Sequence, residues 1–261
     1  MTSAATHMAV SWQRRDILGV AFDLIGCDAA MRTIDGWRRA GRREYVVVAN
    51  PHSVLLCRRD PQMNDAVAQA GLTLPDGVGI VLAAGLLGYP HNGRVTGPEL
   101  MLRLCDWGRG HGYRHFFYGG TAGVADRLAG RLSRMYPGLQ VAGTFCPPFR
   151  PLDDQEDAEI VRQINDTRPD VVWVGLGAPK QEKWMHRHRS RIEAAAMIGV
   201  GAAFDFHSRS AAWAPAWMRR GGMEWAYRLA RDPGRMWRRN LDSPLFLLRV
   251  GAQRLRTALL D

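Results

Sequence analysis

Val171-Val172-Trp173-Val174-Gly175-Leu176-Gly177-Ala178-Pro179-Lys180-Gln181-Glu182-Lys183-Trp184 sets the fold class. Four β-branched or aromatic residues give way to a small-residue loop and then to polar helix formers, which reads as strand, tight connection and helix start. The same order recurs along the chain. Tyr45-Val46-Val47-Val48, Leu72-Thr73-Leu74, His115-Phe116-Phe117-Tyr118, Leu139-Gln140-Val141 and Met197-Ile198-Gly199-Val200 are further short strands set between helical stretches. Alternation of this kind predicts βαβ units and an α/β fold, a Rossmann-like, largely parallel sheet flanked by helices. Most of these strands end in small or polar loops: Ala49-Asn50-Pro51, Pro75-Asp76-Gly77, Gly119-Gly120-Thr121-Ala122-Gly123 and Gly201-Ala202-Ala203. Ligands of open α/β sheets bind at the carboxyl ends of strands, so functional residues are sought there.

The chain has 261 residues, 46% of them hydrophobic and 23% charged, enough for a sizeable core and a poor match to disorder or a disulfide-stapled scaffold. Cys27, Cys57, Cys105 and Cys146 are far apart and form no C-x-x-C pair, so a reduced protein fits best and neither zinc nor a disulfide frame is suggested. Arg14-Arg15 before Ile17 to Ile25 resembles a twin-arginine signal superficially, but Asp23 interrupts the apolar run. The longest apolar stretches, Gly77 to Leu87 and Ala194 to Phe204, fall short of the ~20 residues of a spanning helix, so any membrane contact is peripheral.

The formal charge is +10, and its cations are 33 Arg but only two Lys, Lys180 and Lys183. Such a surplus suits a polyanion: nucleic acid, an anionic membrane or a phosphorylated substrate. From Arg219 to Arg256 ten Arg face only Glu224, Asp232 and Asp242, a net of +7. Trp213, Trp217, Trp225 and Trp237 crowd the same region, and helices are expected to start at Asp232-Pro233 and Ser243-Pro244. In the last helix Leu245, Leu248, Ala252, Leu255 and Leu259 form one stripe. The expected division is an α/β catalytic core over residues 1–206 and a basic, helical, membrane-facing appendage over 207–261.

Several strand-end residues have the chemistry for catalysis or binding. Asp76 is placed like a general base able to take a proton from a sugar hydroxyl, although P-D-G is also common turn chemistry and on these residues alone the turn is the simpler reading. Gly119 and Gly120 open a loop whose amides and following helix could meet a phosphate, with a tight βα connection as the equal alternative. Lys180 could meet a phosphate and Gln181 a sugar or base edge; otherwise they simply begin a helix, with Glu182 and Lys183 solvated. Asp205, between Phe204 and Phe206 at the end of the last strand, is a second strand-end carboxylate that pairs with Asp76 or with an Arg. Asp153-Asp154-Gln155-Glu156-Asp157 reads better as the acidic first turn of a helix than as a metal loop. His186 and His188 lie on different helix faces, a poor metal arrangement, and are read as surface residues. Arg228, Arg231, Arg235 and Arg238 suit a pyrophosphate or an anionic leaflet, while Trp-interleaved Arg could also serve RNA.

Taken in series, these motifs resemble the WecG/TagA/CpsF family of bacterial glycosyltransferases over nearly the whole chain. The matching strings are Asn50-Pro51, Pro75-Asp76-Gly77-Val78-Gly79, Phe117-Tyr118-Gly119-Gly120, Tyr136-Pro137-Gly138-Leu139, Gly175 to Trp184, Gly199 to Phe206, and Glu224 to Leu229 with Asp232 to Arg235. The resemblance implies an inverting, metal-independent transferase that needs no cofactor. It would move a hexose from a UDP-sugar donor to a sugar linked to undecaprenyl diphosphate. It implies a cytoplasmic protein held peripherally at the inner face of the cytoplasmic membrane, with nucleic acid the minor partner and a homo-oligomer left open. By the same resemblance Asp76 is the base, residues matching Asn50 and Gln181 line the active site, and Arg228, Arg235 and Arg238 close over the pocket and neutralise diphosphate. Two departures bear on sugar choice. Trp213 and Arg209 stand where the family often has Arg and Gly, and Val48 stands where Thr is frequent, so N-acetylmannosaminyl, N-acetylmannosaminuronyl and glucosyl transfer all stay open. The other functional classes the composition allows are a nucleotide-binding oxidoreductase, disfavoured because no G-x-G-x-x-G opens a helix, and an RNA- or membrane-binding module without catalysis.

Overall fold

The computed structural model describes residues 12–208, 213–215, 217–218, 223–231 and 233–259, with the side chains at 225, 228, 233 and 235–241 outside the description. A short antiparallel hairpin, β1 (Arg15–Ile17) and β2 (Val20–Phe22), precedes α1 (Cys27–Arg39). There follow β3 (Glu44–Ala49), α2 (Pro51–Cys57), α3 (Pro61–Ala68), β4 (Leu72–Pro75), α4 (Val78–Leu86) and α5 (Gly97–Arg109). The second half runs β5 (Arg114–Gly119), α6 (Val124–Met135), β6 (Gln140–Phe145), α7 (Asp154–Asp166), β7 (Val171–Gly175), α8 (Lys180–His188), β8 (Ala196–Gly199) and α9 (Ala203–Ser208). The C-terminal helices are α10 (Glu224–Arg231) and α11 (Pro233–Ala258).

All six expected strands pair in parallel, in the order β4-β3-β8-β7-β5-β6. Side chains leave the central strands alternately to two cores, as a doubly covered sheet requires. Tyr45, Val47, Phe116, Tyr118, Val172, Val174 and Met197 enter the core shared with α2, α3, α4, α7 and α8. Val46, Val48, Phe117, Val171, Trp173 and Ile198 enter the one shared with α1, α5, α6 and α9.

The stretch with signal-like features is the hairpin that covers the β4 edge. Ile17 and Phe22 are wholly buried. Asp23, which breaks the apolar run, is a buried hub: its carboxylate accepts from Trp12 Nε1 at 2.6 Å, Arg14 Nε at 3.1 Å and the Thr73 amide at 2.7 Å, and its own amide donates to the Thr73 carbonyl at 2.8 Å.

The expected helix start at Pro233 is present, but the break at Ser243-Pro244 is not; α11 continues through Pro244. A proline inside a helix costs about 3 kcal/mol, and here anchors on both sides hold the helix. Asp242 meets His52 Nδ1 on α2 at 2.6 Å, Phe246 and Val250 lie fully buried in the first core, and Gln253 Oε1 accepts the Leu18 amide at 2.9 Å. Of the leucine stripe only Leu245 is half-buried against the core; Leu248, Ala252, Leu255 and Leu259 are exposed, while Phe246 and Val250, off the stripe, are the residues that enter the core fully. Among the described residues no helix is long and apolar enough to cross a membrane.

Candidate active site

The carboxyl ends of the parallel strands form a row, and Asn50 and Asp76 share one end of it. Asn50 leaves β3 with extended backbone and caps α2, its Oδ1 accepting the Ser53 amide at 3.1 Å, an arrangement typical of Asn at an N-cap. Asp76 leaves the neighbouring β4, and its amide donates to the Ala49 carbonyl at 2.8 Å, so the two loops are stitched side by side. Gly77, at φ +83°, then turns the chain into α4. A Cβ on Gly79 would stand 2.6 Å from Pro51 Cγ, so the P-D-G-V-G string lets the first turns of α2 and α4 press together beneath Asp76. The Val95 amide donates to the Pro75 carbonyl at 2.8 Å and carries Arg94 to the same strand end, a cation the sequence reading passed over. Its signal lay in Arg94-Val95-Thr96-Gly97-Pro98, where Thr96 caps α5 by accepting the Glu99 amide at 3.3 Å.

Two strands further along, the Gln181 amide group is built into the scaffold. It is buried, its Oε1 accepts the Gly201 amide at 3.0 Å, and its Nε2 donates to Glu182 Oε1 at 2.8 Å. Glu182, solvated in the simple helix-start alternative, is buried as well. Lys180 stays exposed, with Nζ 4.6 Å from the centroid of the Phe149 ring. Lys183 binds the Asp60 carboxylate at 2.6 Å and Gln62 Oε1 at 3.2 Å, tying α8 to the N-cap of α3. This contact holds the Asp60 carboxyl below its ordinary range.

Gly119 and Gly120 lie at the β5 end, and their conformations, φ +136° and +74°, exclude most side chains. A Cβ on Gly119 would fall 2.6 Å from the Gly175 carbonyl group, one on Gly175 2.5 Å from the Phe204 ring, and the Gly120 amide is committed to the Gly175 carbonyl at 3.1 Å. The loop is thus the tight βα connection, and its glycines let β5, β7 and α9 close on one another.

Asp205 departs from the expectation of a strand-end carboxylate. β8 stops at Gly199, Gly201 at φ +49° reverses the chain, and Asp205 sits half-buried in α9, which packs on α5 and α6. Arg131 Nη1, donating to the His207 carbonyl at 2.8 Å, holds the C-terminal turn of this helix. Arg228 lies on α10, Arg235 and Arg238 on α11, with side chains outside the described residues; Arg209 lies outside them entirely.

The acidic run is consumed as expected: Asp153 accepts the Glu156 amide at 2.8 Å and Glu156 accepts the Asp153 amide at 3.1 Å, a capping box opening α7. Among the described residues no three His, Cys, Asp or Glu converge as metal ligands. His188, expected at the surface, is buried between the Trp184 carbonyl, 2.7 Å from Nδ1, and Asp157, 2.9 Å from Nε2; burial depresses its pKa.

The row therefore offers a carboxylate beside an amide side chain, Arg94 at the β4 end, Lys180 beyond β7, and the positive ends of α2, α4, α5, α6 and α8. Such an edge favours a diphosphate, since the summed peptide dipoles at helix N-termini attract anions. The family model described as Glycosyl transferase WecG/TagA/CpsF matches residues 15–259. The chain belongs to that family. It is a glycosyltransferase, which sets aside the oxidoreductase and the non-catalytic module. A Bacillus spizizenii protein is 34% identical over 206 residues, covering 79% of this chain and 78% of its own. A Staphylococcus aureus protein is 29% identical over 237 residues, covering 90% and 91%. Both carry the name N-acetylglucosaminyldiphosphoundecaprenol N-acetyl-beta-D-mannosaminyltransferase.

Proposed function

We propose that this WecG/TagA/CpsF member transfers N-acetylmannosamine, with inversion, from a UDP-sugar to N-acetylglucosamine carried on undecaprenyl diphosphate. The observation that carries the reading is the Asn50–Asp76 strand-end pair within a chain 34% identical to a protein of that name. Asp76 accepts the proton of the acceptor hydroxyl while that oxygen attacks the anomeric carbon from the side opposite UDP. General-base help of this kind is worth about 100- to 10,000-fold. Helix N-termini, Arg94, Lys180 and the C-terminal Arg228, Arg235 and Arg238 stabilise the departing diphosphate electrostatically and without a metal ion.

The reading places the enzyme on the inner face of the cytoplasmic membrane, where an acceptor with a polyprenyl tail resides. Val78, Leu82 and Leu86 recur every fourth residue on α4 and are exposed, and α11, which packs on α4, exposes Leu248, Leu255 and Leu259. Arg254 donates to the Leu86 carbonyl, and Arg249 and Arg256 border the same stripe. Exposed leucines rimmed by Arg suit an anionic leaflet. The test is a panel of UDP-sugars offered with a short-chain lipid-diphosphate N-acetylglucosamine acceptor. The proposal expects a β-linked N-acetylmannosaminyl product; transfer of a different sugar, or none, refutes it.

A further inference from the structure

The structure assigns a second role at the far end of the row: we infer that Phe149 is the stacking platform for the nucleobase of the donor nucleotide, with Lys180 beside it for the phosphates. The inference rests on the nucleotide-sugar reading above. Phe149 is 97% exposed, the most exposed large apolar side chain among the described residues. It is held there by a stiff loop. Pro147, Pro148 and Pro151 fix three backbone torsions, while Arg150 forks onto Glu156 at 2.7 and 2.6 Å and also binds the Pro151 carbonyl at 3.1 Å. Glu156 belongs to the capping box of α7, so the phenyl group is presented from an anchored base.

Lys180 Nζ lies 4.6 Å from the ring centroid, a cation–π contact that orients the ring and leaves aromatic area open. The same lysine opens α8, so a phosphate at its ammonium would also meet the positive end of a helix, and the next residue, Gln181, joins α8 to Gly201 on the neighbouring strand end. An aromatic face next to a phosphate-seeking cation is the chemistry of a nucleoside diphosphate. Three strand spacings, about 14 Å, separate the β4 and β7 ends, so an extended nucleotide sugar would place its sugar near Asp76 and its base near Phe149. Bilayer insertion is the competing use of an exposed phenyl. The exposed leucines, however, lie on α4 behind the edge strand β4 and on α11 packed against it, whereas Phe149 lies against Lys180, beyond β7 toward the other edge of the sheet.

The test uses the full chain and titration calorimetry with UDP and, separately, inorganic pyrophosphate. Phe149→Ala is expected to weaken UDP binding by about 5- to 150-fold, the factor for losing one base–aromatic stack, with pyrophosphate affinity and melting temperature unchanged. Phe149→Tyr keeps UDP affinity, and Lys180→Ala weakens both ligands. Unchanged UDP affinity in Phe149→Ala overturns the platform alone, as does a variant that loses only its binding to anionic vesicles. A wild-type chain that binds no UDP overturns the donor reading and the platform with it.

Discussion

His115 sits wholly buried on β5, stacked beside Trp173, and its substitution by Phe isolates a pH-dependent part of the stability. Trp173 Nε1 donates to His115 Nδ1 at 3.2 Å, so the neutral ring carries its proton on Nε2, which finds no partner among the described residues. Burial disfavours the imidazolium and pushes the pKa from 6.5 down to about 4. The unfolded chain therefore takes up a proton near pH 6.5 that the folded chain refuses until about pH 4. The stability contributed by the neutral ring is complete above pH 6.5 and is lost as pH falls toward 4: about 2 kcal/mol by pH 5 and about 3 kcal/mol by pH 4. In His115→Phe the Trp173 N–H loses its acceptor, a cost of about 1–3 kcal/mol at every pH, partly offset by removal of the unpaired N–H. Urea unfolding of both proteins at pH 7.5 and pH 5 checks this. The wild-type advantage over the variant should shrink by about 2 kcal/mol at the lower pH. Other groups that titrate in this window, His188 among them, are common to both proteins and cancel. A stability difference that is the same at both pH values refutes the buried-neutral-histidine reasoning.

Two further outcomes follow from the C-terminal helix. Phe246→Ala should destabilise the whole protein by about 3–5 kcal/mol in urea unfolding, because the ring fills the first core, and a loss confined to activity would contradict that packing. Leu82→Glu combined with Leu248→Glu should release the enzyme from anionic vesicles in a flotation assay while changing stability by about 0.5 kcal/mol or less per site, as expected for exposed positions. Retained flotation would remove the α4–α11 face as the membrane contact.

The strands were legible because short apolar runs, β-branched or aromatic in β3, β5 and β7, recur between small-residue loops, as the buried strands of a doubly covered sheet require; β6, at the edge, is partly exposed. The positions of Asn50 and Asp76 at the ends of β3 and β4 were legible because strand-end loops are where such a sheet leaves polar groups. What the sequence hid are features that need a partner from far along the chain. Ile17 and Phe22 are apolar for the sake of the β4 edge, and Asp23 is tolerated among them because Thr73 supplies its hydrogen bonds. Helical periodicity picked out a leucine stripe in α11 but not which face is buried; α2 and the hairpin chose the face with Phe246 and Val250. Asp205 was expected at a strand end, but β8 stops at Gly199 and the chain turns into α9, a reversal at Gly201 that the apolar run did not announce. Pro244 likewise read as a helix start, since its cost is offset by contacts at Asp242 and Gln253 that no local signal announces.

Proton removal from the acceptor hydroxyl by the carboxylate at the end of β4 is the step on which the proposed transfer depends. Its most direct test is the rate at which Asp76→Asn moves sugar from the UDP-sugar to the lipid-diphosphate acceptor, measured beside UDP affinity and melting temperature. A fall of about 100-fold or more is expected, with binding and stability preserved. Transfer by the variant at the wild-type rate contradicts it.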